Sequence, residues 1–163
     1  MKIKFELNGK PAEWEIKPGE ILLDTLRRLG LKGAKEGCRQ GECGCCTVLL
    51  DGKPVNSCMI FTAQAASRKL LTIEGLTPAK KKDLSHKKEL HPIQQAYLES
   101  GAVQCGYCTP AMVLSTKALL DEKPAPTEEE IKKALEGVLC RCTGYSKIID
   151  AVKLSAKKLS AAK

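Results

Sequence analysis

The sequence predicts an α+β chain in two parts, a strand-rich N-terminal half and a helical C-terminal half. Residues 2–16 alternate apolar and polar side chains around Asn8-Gly9, the strongest short hairpin signal. Beyond residue 91, apolar residues recur at helical spacing between helix start and stop signals. Between the halves, residues 78–90 are rich in lysine and polar side chains, which marks a linker. The expected division is therefore 1–77, 78–90 and 91–163.

Taken in order, Ile3, Phe5 and Leu7 share one face of a first strand, and Ala12, Trp14 and Ile16 alternate along its partner, with Trp14 read as core. Pro18-Gly19 ends the hairpin. Residues 21–29 carry apolar side chains at helical spacing up to Gly30, a C-cap candidate. Thr47–Leu50 reads as a strand, Asp51-Gly52 as a tight turn and residues 54–59 as the partner strand. A helical turn near 61–66 and a strand over 69–73 complete a small α+β unit. In the second half, residues 91–100 form a helix with Ile93, Ala96, Tyr97 and Leu98 buried. Thr109 as N-cap and Pro110 at the first position open the next helix, which Pro124 and Pro126 stop. Thr127 and Glu130 form a capping box for a third helix through Ile131 and Leu135, and a fourth starts near Ser146. Four helices joined by short turns make a bundle. His86 in the linker and His91 at a helix start have no ligand partner at suitable spacing, and neither is assigned a role.

Residues 35–58 carry the first chemical signal. Cys38, Cys43 and Cys46 are spaced C-x4-C-x2-C with Cys58 further on, the plant-type [2Fe–2S] ferredoxin spacing. Three thiolates converging from one short loop require sharp bends and close approach of backbone, which Gly37, Gly41 and Gly44 permit. An odd count of nine cysteines and the adjacent pair Cys45 and Cys46 argue against a disulfide framework. Zinc accepts four thiolates too, but its usual sites use two ligand pairs instead of three ligands in one loop.

A second constellation lies in the helical half. Cys105 and Cys108 form C-x2-C, and Cys140 and Cys142 form C-x-C, both at or near helix N-termini. Unpaired N–H groups and the positive dipole end favour an anionic centre there. A second [2Fe–2S] cluster suits this set, and zinc fits it as well.

Composition sets outer bounds. In 163 residues with 43% apolar and 4% aromatic side chains, two small domains have modest cores that metal cross-links would reinforce. The net charge of +8 sits largely in Lys80, Lys81, Lys82, Lys87, Lys88 and the lysines after Asp150, without interleaved aromatics. That pattern reads as solvated surface, so no nucleic-acid partner is expected. No apolar run reaches eighteen residues and the N-terminus alternates charged with apolar side chains, so neither a membrane span nor a signal segment is expected. A cytoplasmic location, where thiols stay reduced, follows as the expectation.

The stretches E-G-C-R-Q-G-E-C-G-C-C-T-V, Q-C-G-Y-C-T-P and C-R-C-T-G-Y, in this order, resemble the small iron–sulfur subunit of the xanthine oxidase family of molybdenum hydroxylases, including those of carbon monoxide dehydrogenase and hydroxybenzoyl-CoA reductase. The resemblance spans nearly the whole chain. It implies an N-terminal β-grasp ferredoxin-like domain and a C-terminal four-helix bundle-like domain, each with one [2Fe–2S] cluster. By motif match, Cys38, Cys43, Cys46 and Cys58 would hold the first cluster, and Cys105, Cys108, Cys140 and Cys142 the second. Gln104 would approach the molybdopterin of a large subunit. Cys45 stands where the family commonly has alanine, Ala111 where it has glycine, and Val138 where asparagine often stands. Cys45 is expected to be a packed thiol, as are the rings of Tyr107 and Tyr145 to be packing groups.

The implied function is an electron-transfer subunit with no catalytic residues of its own. It would relay electrons between a large molybdopterin-binding subunit carrying the molybdenum cofactor and a medium FAD-binding subunit, in a dimer of heterotrimers. The substrate and the direction of electron flow belong to the partners. The alternatives are a zinc-stabilised, non-redox adaptor and a freestanding two-cluster ferredoxin.

Overall fold

The structure, a computed structural model, describes residues 1–77 and 90–161. Strands β1 (Lys2–Leu7) and β2 (Lys10–Glu15) pair antiparallel, with Ile3 opposite Trp14 and Phe5 opposite Ala12. Asn8 and Gly9 both adopt positive φ, 52° and 76°, as a tight hairpin turn requires. Helix α1 (Leu22–Arg28) buries Leu22, Leu23 and Leu26, and Gly30 follows it at φ 85°. Strand β3 (Thr47–Leu50) turns through Asp51-Gly52 into β4 (Lys53–Asn56), and β5 (Lys69–Leu71) lies between the two hairpins, parallel to β1 and antiparallel to β3. The five-stranded mixed sheet has the order β2-β1-β5-β3-β4. Val48 and Leu50 join the core that includes α1, and the helical half covers the opposite face of β3, so every residue of β3 is buried. This is a β-grasp ferredoxin-like unit.

Three local expectations differ. Trp14 is only half-buried, because β2 is the edge strand; it stands edge-on to Phe5 at a ring separation of 4.5 Å. The strand expected over 54–59 ends at Asn56, and Cys58 sits on a 3-10 turn, Ser57–Met59. The cause is Ser57, whose hydroxyl and N–H both donate to the Cys46 carbonyl and curl the chain back to the cysteine loop. The last strand stops at Leu71 because the Thr72 N–H is taken by the Asn8 side chain at 2.8 Å.

The helical half packs α2 (Pro92–Glu99), α3 (Thr109–Glu122), α4 (Glu128–Leu135) and α5 (Ser146–Ala161) around Ile93, Tyr97, Met112, Ile131, Ile148 and Val152. The Tyr97 hydroxyl is satisfied inside this core by Thr116 Oγ1 at 2.8 Å. Leu98 is exposed, since a helix of two turns buries only a narrow stripe at 93, 96 and 97. His91, without a ligand role, caps α2 by accepting the Ile93 N–H at Nδ1, 3.2 Å. The expected capping box of α4 is present: Thr127 Oγ1 accepts the Glu130 N–H and Glu130 accepts the Thr127 N–H. The N-cap of α3 is Cys108, not Thr109, so a candidate ligand itself begins the helix. Apart from Leu90 the linker expectation, with His86, lies outside the described residues. Among the described residues no helix is long and apolar enough to cross a membrane.

Candidate metal centres

The first cradle wraps the loop between α1 and β3. Its carbonyls are tied back to the sheet: the Asn56 amide donates to Gly41 O at 2.8 Å, and the Thr47 hydroxyl to Gly44 O at 2.6 Å. With the carbonyls anchored outward, several amides turn toward sulfur. The Gln40 and Cys43 N–H groups donate to Cys38 Sγ at 3.3 Å, and the Cys38 N–H donates to Cys43 Sγ at 3.4 Å. Gly37 admits this arrangement, because a Cβ there would lie 2.6 Å from Cys43 Sγ. Cys46 and Cys58 form a second, buried pair in thiol–thiol contact. The expected ligands Cys38, Cys43, Cys46 and Cys58 are thus gathered two by two.

The second cradle joins the start of α3 to the loop between α4 and α5. Cys108 meets Cys140, and Cys105 meets Cys142, again as two thiol pairs. Tyr145, at φ 67°, turns its hydroxyl under this loop, accepting the Cys140 N–H at 3.0 Å and donating to Val138 O at 3.2 Å. Thr143 Oγ1 lies 3.1 Å from Cys140 Sγ. Cys108 is buried, whereas Cys105, Cys142 and neighbouring Gln104 are exposed on one rim. Gln104 thus lies at the surface beside Cys105.

Charge is graded across the thiols. The amides of Cys43 and Gln40 bring Cys38 down to about 6, so it is a ready thiolate at neutral pH. Burial pushes Cys46 up to about 11 and Cys108 up to about 12. Burial opposes ionisation of Cys140 as well, but hydrogen bonds from Thr143 outweigh it and lower the thiol. A metal bound by the buried thiols must displace their protons.

Cys45 lies beside Cys43, between the two cradles. Its side chain is buried in the helical core among residues such as Val138 and Cys108 while its thiol lies 3.7 Å from the Cys43 carbonyl, and burial pushes it up to about 12. Around it the two cradles touch. The Leu139 N–H donates to Cys43 O at 2.9 Å, and Gly44 lies so close to Gly137 that a Cβ would stand 2.0 Å from the Gly137 carbonyl oxygen. Tyr107, expected as packing, is instead 46% exposed and donates its hydroxyl to Glu36 O at 2.5 Å. This seam had no sequence signal, because its partners are distant in the chain and meet through backbone groups and a tyrosine hydroxyl.

All nine cysteines are free thiols, which excludes the disulfide framework in this fold. Among the described residues no three His, Cys, Asp or Glu side chains are grouped as one shared metal ion would need them. Pairs of thiols suit a two-iron core, which divides four ligands between two metals.

Comparison with known proteins agrees in both halves. Residues 5–72 match the model of a 2Fe-2S iron-sulfur cluster binding domain, and residues 72–153 that of a [2Fe-2S] binding domain. The nicotinate dehydrogenase small FeS subunit of Eubacterium barkeri is 47% identical over 157 residues, covering 96% of this chain and 95% of that protein. The chain belongs to the small iron–sulfur subunits of the xanthine oxidase family of molybdenum hydroxylases. Another such subunit, the xanthine dehydrogenase iron-sulfur-binding subunit of Escherichia coli O157:H7, is 46% identical over 153 residues, 92% of this chain and 91% of its own. The crystal structure of quinoline 2-oxidoreductase from Pseudomonas putida 86 contains a chain that superposes with a TM-score of 0.88 at 39% identity, covering 99% of this chain and 96% of that one. As an iron–sulfur small subunit the chain has two cluster-binding domains and an electron-transfer role in a larger oxidoreductase, and the zinc adaptor finds no support.

Proposed function

We propose that Cys38, Cys43, Cys46 and Cys58 hold one [2Fe–2S] cluster and Cys105, Cys108, Cys140 and Cys142 the other, within domains spanning 1–77 and 91–163 joined by the linker 78–90. The observation that carries this assignment is the reciprocal hydrogen bonding of Cys38 and Cys43, each N–H donating to the other's sulfur; Cys46 with Cys58, Cys108 with Cys140 and Cys105 with Cys142 are the remaining pairs of this reading. Each pair would serve one iron. The clusters supply one-electron transfer. The protein holds the thiolates, screens Cys46, Cys58 and Cys108 from water, and aims amides at Cys38 and Cys43, which tunes the potential of the first site.

The exposed rim of Cys105, Cys142 and Gln104 faces a large molybdopterin-binding subunit in this reading, with Gln104 meeting the pterin. A medium FAD-binding subunit meets the first cradle, and the cytoplasmic assembly is a dimer of heterotrimers. The substrate is chosen on the molybdopterin subunit, so closely similar small subunits serve enzymes named for nicotinate, xanthine and quinoline.

Gel filtration of the natively purified protein tests the partners. The chain is expected to co-elute with molybdenum and FAD in one high-mass species. Elution alone, with iron but neither molybdenum nor flavin, would support a freestanding ferredoxin instead.

A further inference from the structure

We propose that Tyr107 is a positioning residue that fixes the spacing and orientation of the two cradles relative to each other, and so sets the rate of electron transfer between them. It rests on the two-cluster reading above and names a determinant that neither ligand set contains.

Tyr107 lies between Cys105 and Cys108, yet its hydroxyl leaves its own loop and donates to the Glu36 carbonyl at 2.5 Å. Glu36 stands two residues before Cys38. The phenol therefore links the residue next to one candidate ligand with the segment leading into another. Its acceptor is firmly anchored. The Glu36 carboxylate pairs with Arg39 Nε at 2.5 Å and with Arg27 at 3.8 Å, and Arg39 reaches Asp24 on α1 at 2.6 Å. At the other end, Gly106 at φ 80° accepts the Thr109 N–H at 3.3 Å and locks the turn that carries Tyr107.

Only one other backbone tie crosses near the ligands among the described residues, the Leu139 N–H to Cys43 O. Within the interface in which the helical half covers β3, these two ties are the ones that join ligand-bearing segments directly. The ring of Tyr107 contributes little to the core, being 46% exposed, so the hydroxyl is the part with a specific task. An electron that crosses leaves a reduced centre in one cradle and enters an oxidised one in the other. No bond forms or breaks at Tyr107, and its proton stays on the phenol.

Tyr107→Phe in the full chain carrying both clusters tests the proposal, because it keeps the ring and removes only the tie. In fully reduced protein, the spin–spin splitting between the two centres reports their separation and relative orientation. The variant is expected to retain about four irons per chain and both EPR signals. Its splitting should change, and electron redistribution between the centres after flash reduction should slow. Both reduction potentials should stay in place, since no hydrogen bond to sulfur is lost. Unchanged splitting and rate would overturn the proposal, and so would loss of iron, which would make Tyr107 a support for ligation instead of spacing. Absence of two iron signals from the wild-type chain would overturn the two-cluster reading itself, a separate outcome.

Discussion

Replacing Cys108 with serine is expected to remove the helical-domain EPR signal, to reduce iron from about four to about two per chain, and to stop substrate-driven flavin reduction. Cys108 begins α3, packs in the helical core at 9% exposure and meets Cys140, so its loss leaves one thiol of that pair without a partner. A serine hydroxyl is a harder and shorter ligand than the thiolate iron prefers. Changes in the surroundings of metal ligands already cost about 10–100-fold, and removal of a ligand should exceed the upper end. The first cradle lies on a separate loop with its own four thiols, so its signal should persist. Reduction of the flavin at the wild-type rate would contradict the assigned route, whatever the iron content.

Gly44→Ala is expected to be the most disruptive change of a non-ligand. The residue adopts φ 64°, where a side chain costs about 1–2 kcal/mol. In addition, the new Cβ would stand 2.0 Å from the Gly137 carbonyl oxygen and 2.9 Å from the Val138 Cα. Both are backbone atoms, so relief requires parting the loops, at a further cost of about 1–3 kcal/mol. A chain of this size should lose about 10 °C of thermal stability and release its clusters earlier on heating. Gly52→Ala is the control, because Gly52 has φ 79° but open space around it, and it should show only the conformational part. Equal losses for the two variants would mean that the cradles do not touch at Gly44.

Much of this molecule is legible in its sequence. Asn8-Gly9 and Asp51-Gly52 each permit only a tight turn between alternating strands, and Thr127 with Glu130 announces α4, so local chemistry placed these elements correctly. The eight ligand candidates stood out because thiols at these spacings have few other uses in a chain with an odd cysteine count. What the sequence did not reveal depends on long-range contact. Cys58 leaves its strand because Ser57 binds the Cys46 carbonyl, and Leu98 is exposed because α2 buries a stripe only two turns long. Gly44 read as a bend for the cluster loop, and its second duty, making room for Gly137, appears only when the halves dock. Tyr107 read as packing because a phenol that reaches out of its loop has the same local signature as one that stays in.

Low-temperature EPR on anaerobically purified, dithionite-reduced protein, with iron, zinc and sulfide measured on the same sample, addresses the central claim most directly. Two overlapping rhombic signals with about four irons per chain are the expected result for one [2Fe–2S] cluster in each cradle. Stoichiometric zinc with no reducible iron in native material would contradict it.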